Sequence, residues 1–451
     1  MLKRKIYDSM IKWKEKDASR TALMIDGVRR VGKSYIAEEF GKAEYRSYLL
    51  IDFARVGDDV REIFEQELSH LDTFFLLLSE YFGVKLYEHD SLIIFDEVQR
   101  FPRAREAIKF LVADGRYHYL ETGSLISIRS NTKTIQIPSE ERHIKMFPMD
   151  FEEFLWAMGE DRLMDVITSR YEDKAPMGQA LHRKAMLLFR QYMIVGGKPQ
   201  AVDIYTKEKD FEAVDGIKRD ILNLYREDIV KHAGKDSIRV QSVFDEIPAA
   251  LSGHDSQFRL SAISKGARYR EYEDAFFWLQ DAMIANLCFN SRDPAFGLKL
   301  NRDRVTLKCY LGDTGLLISH SFDEKGLTEE EVYKRIMFGK LEANLGMIME
   351  NMVAQMLTAT GRNLYFYKNS DRKSASDRME IDFLIAKSRI SSRHNIIPIE
   401  VKSGSRYTLS SIQKFQKKYH EQGDTPIVLH VKDYEEKNEM RFLPLYMTGL
   451  L

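Results

Sequence analysis

Only two cysteines, Cys288 and Cys309, occur in 451 residues, so there is no disulfide framework and no metal-binding cysteine spacing. Apolar neighbours surround both, which marks them as buried core thiols. The chain is also poor in proline (10) and glycine (25), which excludes a low-complexity linker. It has no excess of either charge. The 68 Lys and Arg against 69 Asp and Glu leave −1, so any surface for nucleic acid must be local. Long apolar runs are missing as well: Phe74–Leu78 and Leu92–Phe95 fall far below the length that crosses a bilayer. The basic start Met1-Leu2-Lys3-Arg4-Lys5 leads into no apolar stretch, so no secretory signal is expected. These absences predict a cytoplasmic protein that does not enter membranes. At 44% hydrophobic and 30% charged the composition is that of a globular protein, and the length implies two to four domains.

Against that background one segment stands out. Thr21–Ile25 reads as a short buried strand, Gly27-Val28-Arg29-Arg30-Val31-Gly32-Lys33-Ser34 follows, and Tyr35 continues into a helix. Strand, G-x-x-x-x-G-K-[ST] and helix together are the setting of a phosphate-binding loop. The glycines let the backbone wrap so that N–H groups point at phosphate oxygens, and the helix N-terminus adds its dipole. Lys33 would reach the β- and γ-phosphates and the Ser34 hydroxyl would ligate Mg²⁺. ATP and Mg²⁺ are therefore the expected cofactors.

A second element supports the first. Leu92-Ile93-Ile94-Phe95 is the apolar run of a strand buried on both faces, and it ends in Asp96-Glu97. Ligands of open α/β sheets bind at that strand edge. Asp96 would hold Mg²⁺, usually through water, and Glu97 would polarise the water that attacks the γ-phosphate. The next strand-like run, Tyr117–Leu120, leads to Glu121-Thr122-Gly123-Ser124. Thr122 or Ser124 could position that water, and the pattern does not choose between them. Arg129 and Arg142 are downstream cations suited to stabilising transition-state charge, in this subunit or a neighbour.

Gly27–Ser34, Phe95-Asp96-Glu97-Val98-Gln99, Thr122-Gly123-Ser124 and Phe147-Pro148-Met149-Asp150-Phe151-Glu152-Glu153-Phe154 resemble a family of bacterial and archaeal AAA-type ATPases. The C-terminal domain of that family is described only as one of unknown function. The resemblance implies an AAA-like core with Ser124 at the sensor-1 position and a finger-like role for Arg142. The family commonly has Gly-Arg where this chain has Glu141-Arg142.

Asp150 and Glu153 form a D-x-x-E cap for a helix with Phe151, Phe154, Leu155 and Met158 on one face, expected to close the ATPase core. Helical pattern from about Leu181 breaks at Val195-Gly196-Gly197-Lys198-Pro199, which resembles the family's Gly-Gly-x-Pro turn, and Ile217–Val230 shows another helix face. From Asp236 to His320, amphipathic segments Val240–Leu251 and Tyr272–Ala285 flank a basic stretch. Strand-like runs follow at Leu287–Phe289, Leu298–Leu300 and Thr306–Tyr310. Helices followed by a small hairpin suggest a winged helix, with Lys265, Arg268 and Arg270 as candidate phosphate contacts. A solvated helix face or a domain interface is the simpler explanation of those residues. Asp313-Thr314-Gly315-Leu316-Leu317 resembles a family signature without evident chemistry.

Downstream, Asn344–Val353 opens a helix that carries Glu350. Met379-Glu380-Ile381-Asp382-Phe383 alternates as a strand, and Ile396–Lys402 is a second strand with Glu400 and Lys402 on one face. A basic amphipathic helix, Ser410–Tyr419, follows with Lys414, Lys417 and Lys418 outside. An acidic residue on one strand and Glu-x-Lys on the next is the constellation of PD-(D/E)XK nucleases, and the family resemblance implies the same fold. Asp382 and Glu400 could bind a second divalent cation, with Glu350 completing its shell and Lys402 activating water.

The expected fold class is α/β: a P-loop AAA-like core at 1–160, a helical region at 161–235, a winged-helix-like domain at 236–320 and a nuclease-like domain at 321–451. The expected function is Mg-dependent ATP hydrolysis coupled to binding or processing of nucleic acid (DNA). The alternative is a slow nucleotide-operated switch that binds a protein partner and carries a catalytically inactive nuclease-like fold. Either is compatible with an oligomer.

Overall fold

The computed structural model describes residues 2–123, 139–253, 256–294, 297–322, 330–340, 342–369, 378–387, 395–404, 406–420 and 423–451. The chain divides into two compact units, Lys3–Phe147 and Pro148–Leu451. The helix expected to close the ATPase core lies beyond this division, in the second unit.

The first unit holds strands β1 (Ala22–Gly27), β2 (Ser47–Asp52), β3 (Ser91–Asp96), β4 (His118–Gly123) and β5 (Glu141–Met146). They form one sheet in the order β2-β3-β4-β1-β5, and every pairing is parallel. The apolar runs that predicted β1 and β3 are fully buried along their whole length. Helix α1 (Ile6–Lys16) precedes the sheet, and α2 (Lys33–Glu44), α3 (Asp58–Gln66), α4 (Leu71–Phe82) and α5 (Pro102–Asp114) are connected through its strands. Phe53, Phe64, Phe74, Phe95 and Phe101 interlock edge-to-face in the main core of this unit, a geometry favoured by the ring quadrupoles. Gly41 brings α2 against the sheet, because a Cβ there would meet Tyr48 at 2.9 Å.

The second unit begins with a short capped helix. Asp150 accepts from the Glu153 N–H at 2.9 Å and Glu153 accepts from the Asp150 N–H at 3.1 Å, so the predicted capping box forms at α6 (Phe151–Ala157). Helices α7 (Asp161–Glu172), α8 (Gln179–Val195), α9 (Pro199–Glu208), α10 (Phe211–His232), α11 (Ser237–Ser252) and α12 (Tyr269–Asp281) follow. The Gly-Gly-x-Pro turn ends α8 and starts α9 with Pro199 in the first turn, where its missing N–H costs nothing.

The reason for the two glycines lies in the close approach of Asp313 to one and of Met149 to the other. Asp313 accepts from the Gly197 N–H at 2.7 Å and caps α13 (Thr314–Ser321) through the Leu316 N–H at 3.0 Å. A Cβ on Gly196, whose φ is +79°, would meet the Asp313 carboxylate at 2.3 Å, and one on Gly197 would meet the Met149 carbonyl at 2.2 Å. Thus the two signatures without evident chemistry, Gly-Gly-x-Pro and Asp-Thr-Gly-Leu, are the two halves of one buried lock.

The strands of this unit are β6 (Ala285–Ser291), β7 (Arg302–Leu311), β8 (Leu364–Asn369), β9 (Met379–Ala386), β10 (Ile396–Val401), β11 (Ile427–His430), β12 (Glu435–Lys437) and β13 (Met440–Pro444). They form one mixed sheet in the order β12-β13-β11-β10-β9-β8-β6-β7. The hairpin β6–β7, expected to belong to a winged helix, is therefore an edge of the sheet that contains β9 and β10. Leu298–Leu300, read as a strand, is a turn between β6 and β7. Helix α14 (Glu330–Met337) precedes α15 (Glu342–Ala359), which carries Glu350, and α16 (Ser410–Lys418) follows β10. Both cysteines are buried thiols. Among the described residues no helix is long and apolar enough to cross a membrane.

Candidate nucleotide site and carboxylate cluster

Strand order places the ends of β3, β4 and β1 side by side, so Asp96, Thr122 and Gly27 share one sheet edge. The loop from Gly27 to Gly32 leaves β1 and runs straight into α2. Arg30 (φ 62°) and Gly32 (φ 93°) take left-handed conformations that wrap it, and glycine carries the second without strain. A Cβ on Gly27 would meet the Met146 carbonyl on β5 at 2.6 Å, so only glycine fits at the loop's start. Val28 and Val31 are buried, Arg29 and Arg30 are exposed, and Ser34 is partly covered at the start of α2 beside exposed Tyr35. Arg4 holds the loop from outside by donating to the Val31 carbonyl at 3.0 Å and to the Phe147 carbonyl at 2.6 Å.

Lys33 is buried and donates to the Gly27 and Val28 carbonyls at 3.0 and 3.2 Å. Burial pulls its ammonium below the ordinary lysine value, against the attraction of Glu97, Asp96 and Asp26. A buried cation facing carboxylates at a helix N-terminus is a place for a polyanion, and the donor set fits a nucleoside triphosphate with a hard cation.

Thr122 ties the acidic pair together. Its hydroxyl donates to Asp96 and accepts from the Glu97 N–H at 3.3 Å. Glu97 sits in a left-handed conformation (φ 54°), and Gln99 donates to its carboxylate at 2.5 Å. Ser124 and Arg129 lie outside the described residues. Arg142 lies on β5 opposite Leu23, about 13 Å back from the Gly27 edge at the usual strand rise, and is paired with Asp17. It does not reach the phosphate loop of its own subunit.

Sequence reading missed a charged network under this loop. His143 on β5 bonds Asp26 at 2.7 Å and Glu141 at 3.1 Å, and Arg105 from α5 clamps Glu141 through two bonds at 2.8 and 2.6 Å. Asp26 and then Glu141 push the His143 imidazolium up to about 9, against the opposing effect of burial. Burial, then Glu141, pushes the Glu121 carboxyl far above its usual range, with Arg105 opposing. Sequence reading places no strand at Glu141–Met146, so the partners of Asp26 and Glu121 are out of its reach.

In the second unit, Asp382 and Glu400 come together on neighbouring strands, β9 and β10. Asp382 accepts the Val401 N–H at 2.8 Å and Glu400 accepts from Lys402 at 2.5 Å. Glu350 faces the same cluster, but its partners come from the hairpin: Lys308 donates at 2.9 Å and Tyr310 at 2.5 Å, while Ser256 donates to its other oxygen at 3.1 Å. Lys308 also lies 3.0 Å from Glu380 and 3.9 Å from Asp382, and Lys368 lies 3.4 Å from Glu380. Burial, then Glu350, pushes Asp382 up to about 7, with Lys308 opposing. Glu400 is also raised by burial, with Lys402 opposing. Among the described residues, no group of three or more His, Cys, Asp or Glu is arranged to hold a metal ion. Of the predicted Asp382–Glu400–Glu350 set, Asp382 and Glu400 lie side by side, and Lys308 stands between Glu350 and Asp382. Sequence spacing could not reveal this, since Lys308 sits 74 residues from Asp382.

Comparison with known proteins bears on these sites. Residues 19–155 match the sequence model of an AAA domain. This segment is similar to AAA domains. Residues 186–327 and 345–447 match two domains of unknown function, DUF8612 and DUF4143. No curated protein matches the chain. Similar solved structures include the RuvB Holliday junction branch migration motor of Thermotoga maritima, at 14% identity over 74% of this chain and 92% of that one, with a TM-score of 0.30. Drosophila ORC bound to DNA matches at 14% identity over 68% and 92%, with a TM-score of 0.30. PCH-2 of C. elegans matches at 14% over 44% and 58%, with a TM-score of 0.24. Likeness at that level carries no weight for function. The AAA domain contains the phosphate loop, the Asp96-Glu97 pair and Thr122.

Proposed function

We propose that the AAA domain binds and hydrolyses ATP with Mg²⁺, and that its cycle acts on nucleic acid held by the second unit. The observation that carries the hydrolytic half is the Thr122 hydroxyl, which joins Asp96 to the Glu97 backbone at the sheet edge beside Lys33. Lys33 would exchange its two loop carbonyls for the β- and γ-phosphates, and Glu97 would orient and deprotonate the attacking water. Ser34 and Asp96 would hold Mg²⁺, which when bound neutralises phosphate charge. Thr122 takes the positioning role expected of a polar side chain at this strand tip. Arg142, if it serves as a finger, would serve a neighbouring subunit in an oligomer.

Exposed lysines and arginines support the nucleic-acid half. Lys265, Arg268 and Arg270 stand out before and on α12, and Lys417 and Lys418 on α16. Such residues give salt-dependent, sequence-independent phosphate contacts. The test is the ATPase rate of wild type, Lys33→Ala and Glu97→Gln with single-stranded, duplex and branched DNA. Lys33→Ala should lose nucleotide binding, whereas Glu97→Gln should bind and turn over about 10²–10⁴-fold more slowly. DNA should raise the wild-type rate at low salt. Turnover indifferent to every DNA would reject the nucleic-acid half and favour the switch that binds a protein partner.

A further inference from the structure

The carboxylates that would ligate a cation in the nuclease-like region already surround one. The Lys308 ammonium lies 2.9 Å from Glu350, 3.0 Å from Glu380 and 3.9 Å from Asp382, and its side chain is 1% exposed. Lys308 reaches the cluster from β7, which the sheet order places at the edge of the same sheet, three strands from β9. Both Glu350 oxygens are occupied, one by Lys308 and Tyr310 and the other by Ser256. One Asp382 oxygen accepts the Val401 N–H, and one Glu400 oxygen accepts Lys402. Among the described residues the other Glu400 oxygen is buried without a close hydrogen-bond partner, although the Ile412 backbone N–H acts on the same carboxylate.

We infer that the Lys308 ammonium takes the place of the divalent cation in this cluster, so the second unit keeps a nuclease-like fold without metal-dependent cleavage there. The chemistry of the set favours this occupant. A buried ammonium supplies positive charge and three donors to several carboxylates at once, whereas Mg²⁺ demands near-octahedral oxygen ligands and carries two charges beside Lys308 and Lys402. Glu350, Glu380 and Asp382 all lie within ion-pair distance of this buried ammonium. The cluster then acts as a clasp that fastens the hairpin to α15 and β9. This inference deepens the nucleic-acid reading by making the unit a binder, and its test is separate from that reading.

The test is Mn²⁺ binding to the full chain without nucleotide, followed by electron paramagnetic resonance, in wild type and Asp382→Asn. Plasmid cleavage with Mg²⁺ or Mn²⁺ is assayed in parallel. Equal Mn²⁺ binding by the two proteins and no cleavage are expected. A saturable wild-type site that weakens tenfold or more in Asp382→Asn, or cleavage lost in that variant, would overturn the inference. Lys308→Met, where it folds, should gain one Mn²⁺ per chain, and a folded variant that gains none would also count against it. DNA-stimulated ATPase activity stays an independent readout.

Discussion

Thr122 is the residue whose chemistry is most exposed to a single substitution. Its hydroxyl is a donor to Asp96 and an acceptor for the Glu97 N–H, so Thr122→Val keeps the shape and leaves both groups unpaired. A drop in kcat of about 10–100-fold with little change in KM is the expected result, because the contact positions groups that act in the transition state. Thr122→Ser retains the hydroxyl and should recover most of the rate in the same steady-state assay. His143 makes a different prediction at this scale. Its pKa is raised from 6.5 to about 9 by Asp26 and Glu141, so the stabilisation is complete below about pH 6.5 and is lost as pH rises through about 9. Thermal melts of the AAA domain should fall across that window in wild type and be flatter in His143→Gln. Partial exposure of the imidazole keeps the effect modest.

At the level of elements, the Asp313 lock shows why some motifs resisted reading. Asp313→Ala would orphan the Gly197 and Leu316 N–H groups, at a cost of about 2–5 kcal/mol in urea unfolding, while Asp313→Asn keeps one acceptor and should cost about half as much. Gly-Gly-x-Pro and Asp-Thr-Gly-Leu each looked inert alone because their meaning is a contact across 116 residues. Strand β1, the phosphate loop and strand β3 were legible because their signals are local: an apolar run, a glycine spacing and two carboxylates in sequence. The same holds for the capping box at Asp150. Lys308 and the His143–Asp26–Glu141–Arg105 network were not legible, since pairing partners are chosen by register rather than by spacing. Of the three strand-like runs, Leu287–Phe289 and Thr306–Tyr310 fall in the hairpin β6–β7, but its partner strand β8 was not foreseen, and that pairing turns an expected wing into a sheet edge.

For the whole molecule, the two compact units imply two responses to ligand. ATP and Mg²⁺ bound to the AAA domain should raise its unfolding transition by the mass-action term, about 2.7 kcal/mol at a hundredfold excess over Kd, and leave the Pro148–Leu451 transition in place. Calorimetry of wild type and Lys33→Ala with added nucleotide checks this, and a shift retained in Lys33→Ala would contradict the assigned site. The units also differ in how far apart in sequence their contacts lie. His182 on α8 bonds Tyr446 and the Val431 carbonyl, and Asp433 accepts the Met177 and Gly178 N–H groups, at separations of 249 to 264 residues. On a ribosome, then, the AAA domain has its five strands in hand once Phe147 has emerged. In the second unit the β6–β7 edge waits for β8, and His182 on α8 waits until β11 and the Tyr446 segment are made. The loop-closure entropy of those pairings is met late, which makes this unit the slower to fold and the one that most depends on protection of its nascent sheet edge.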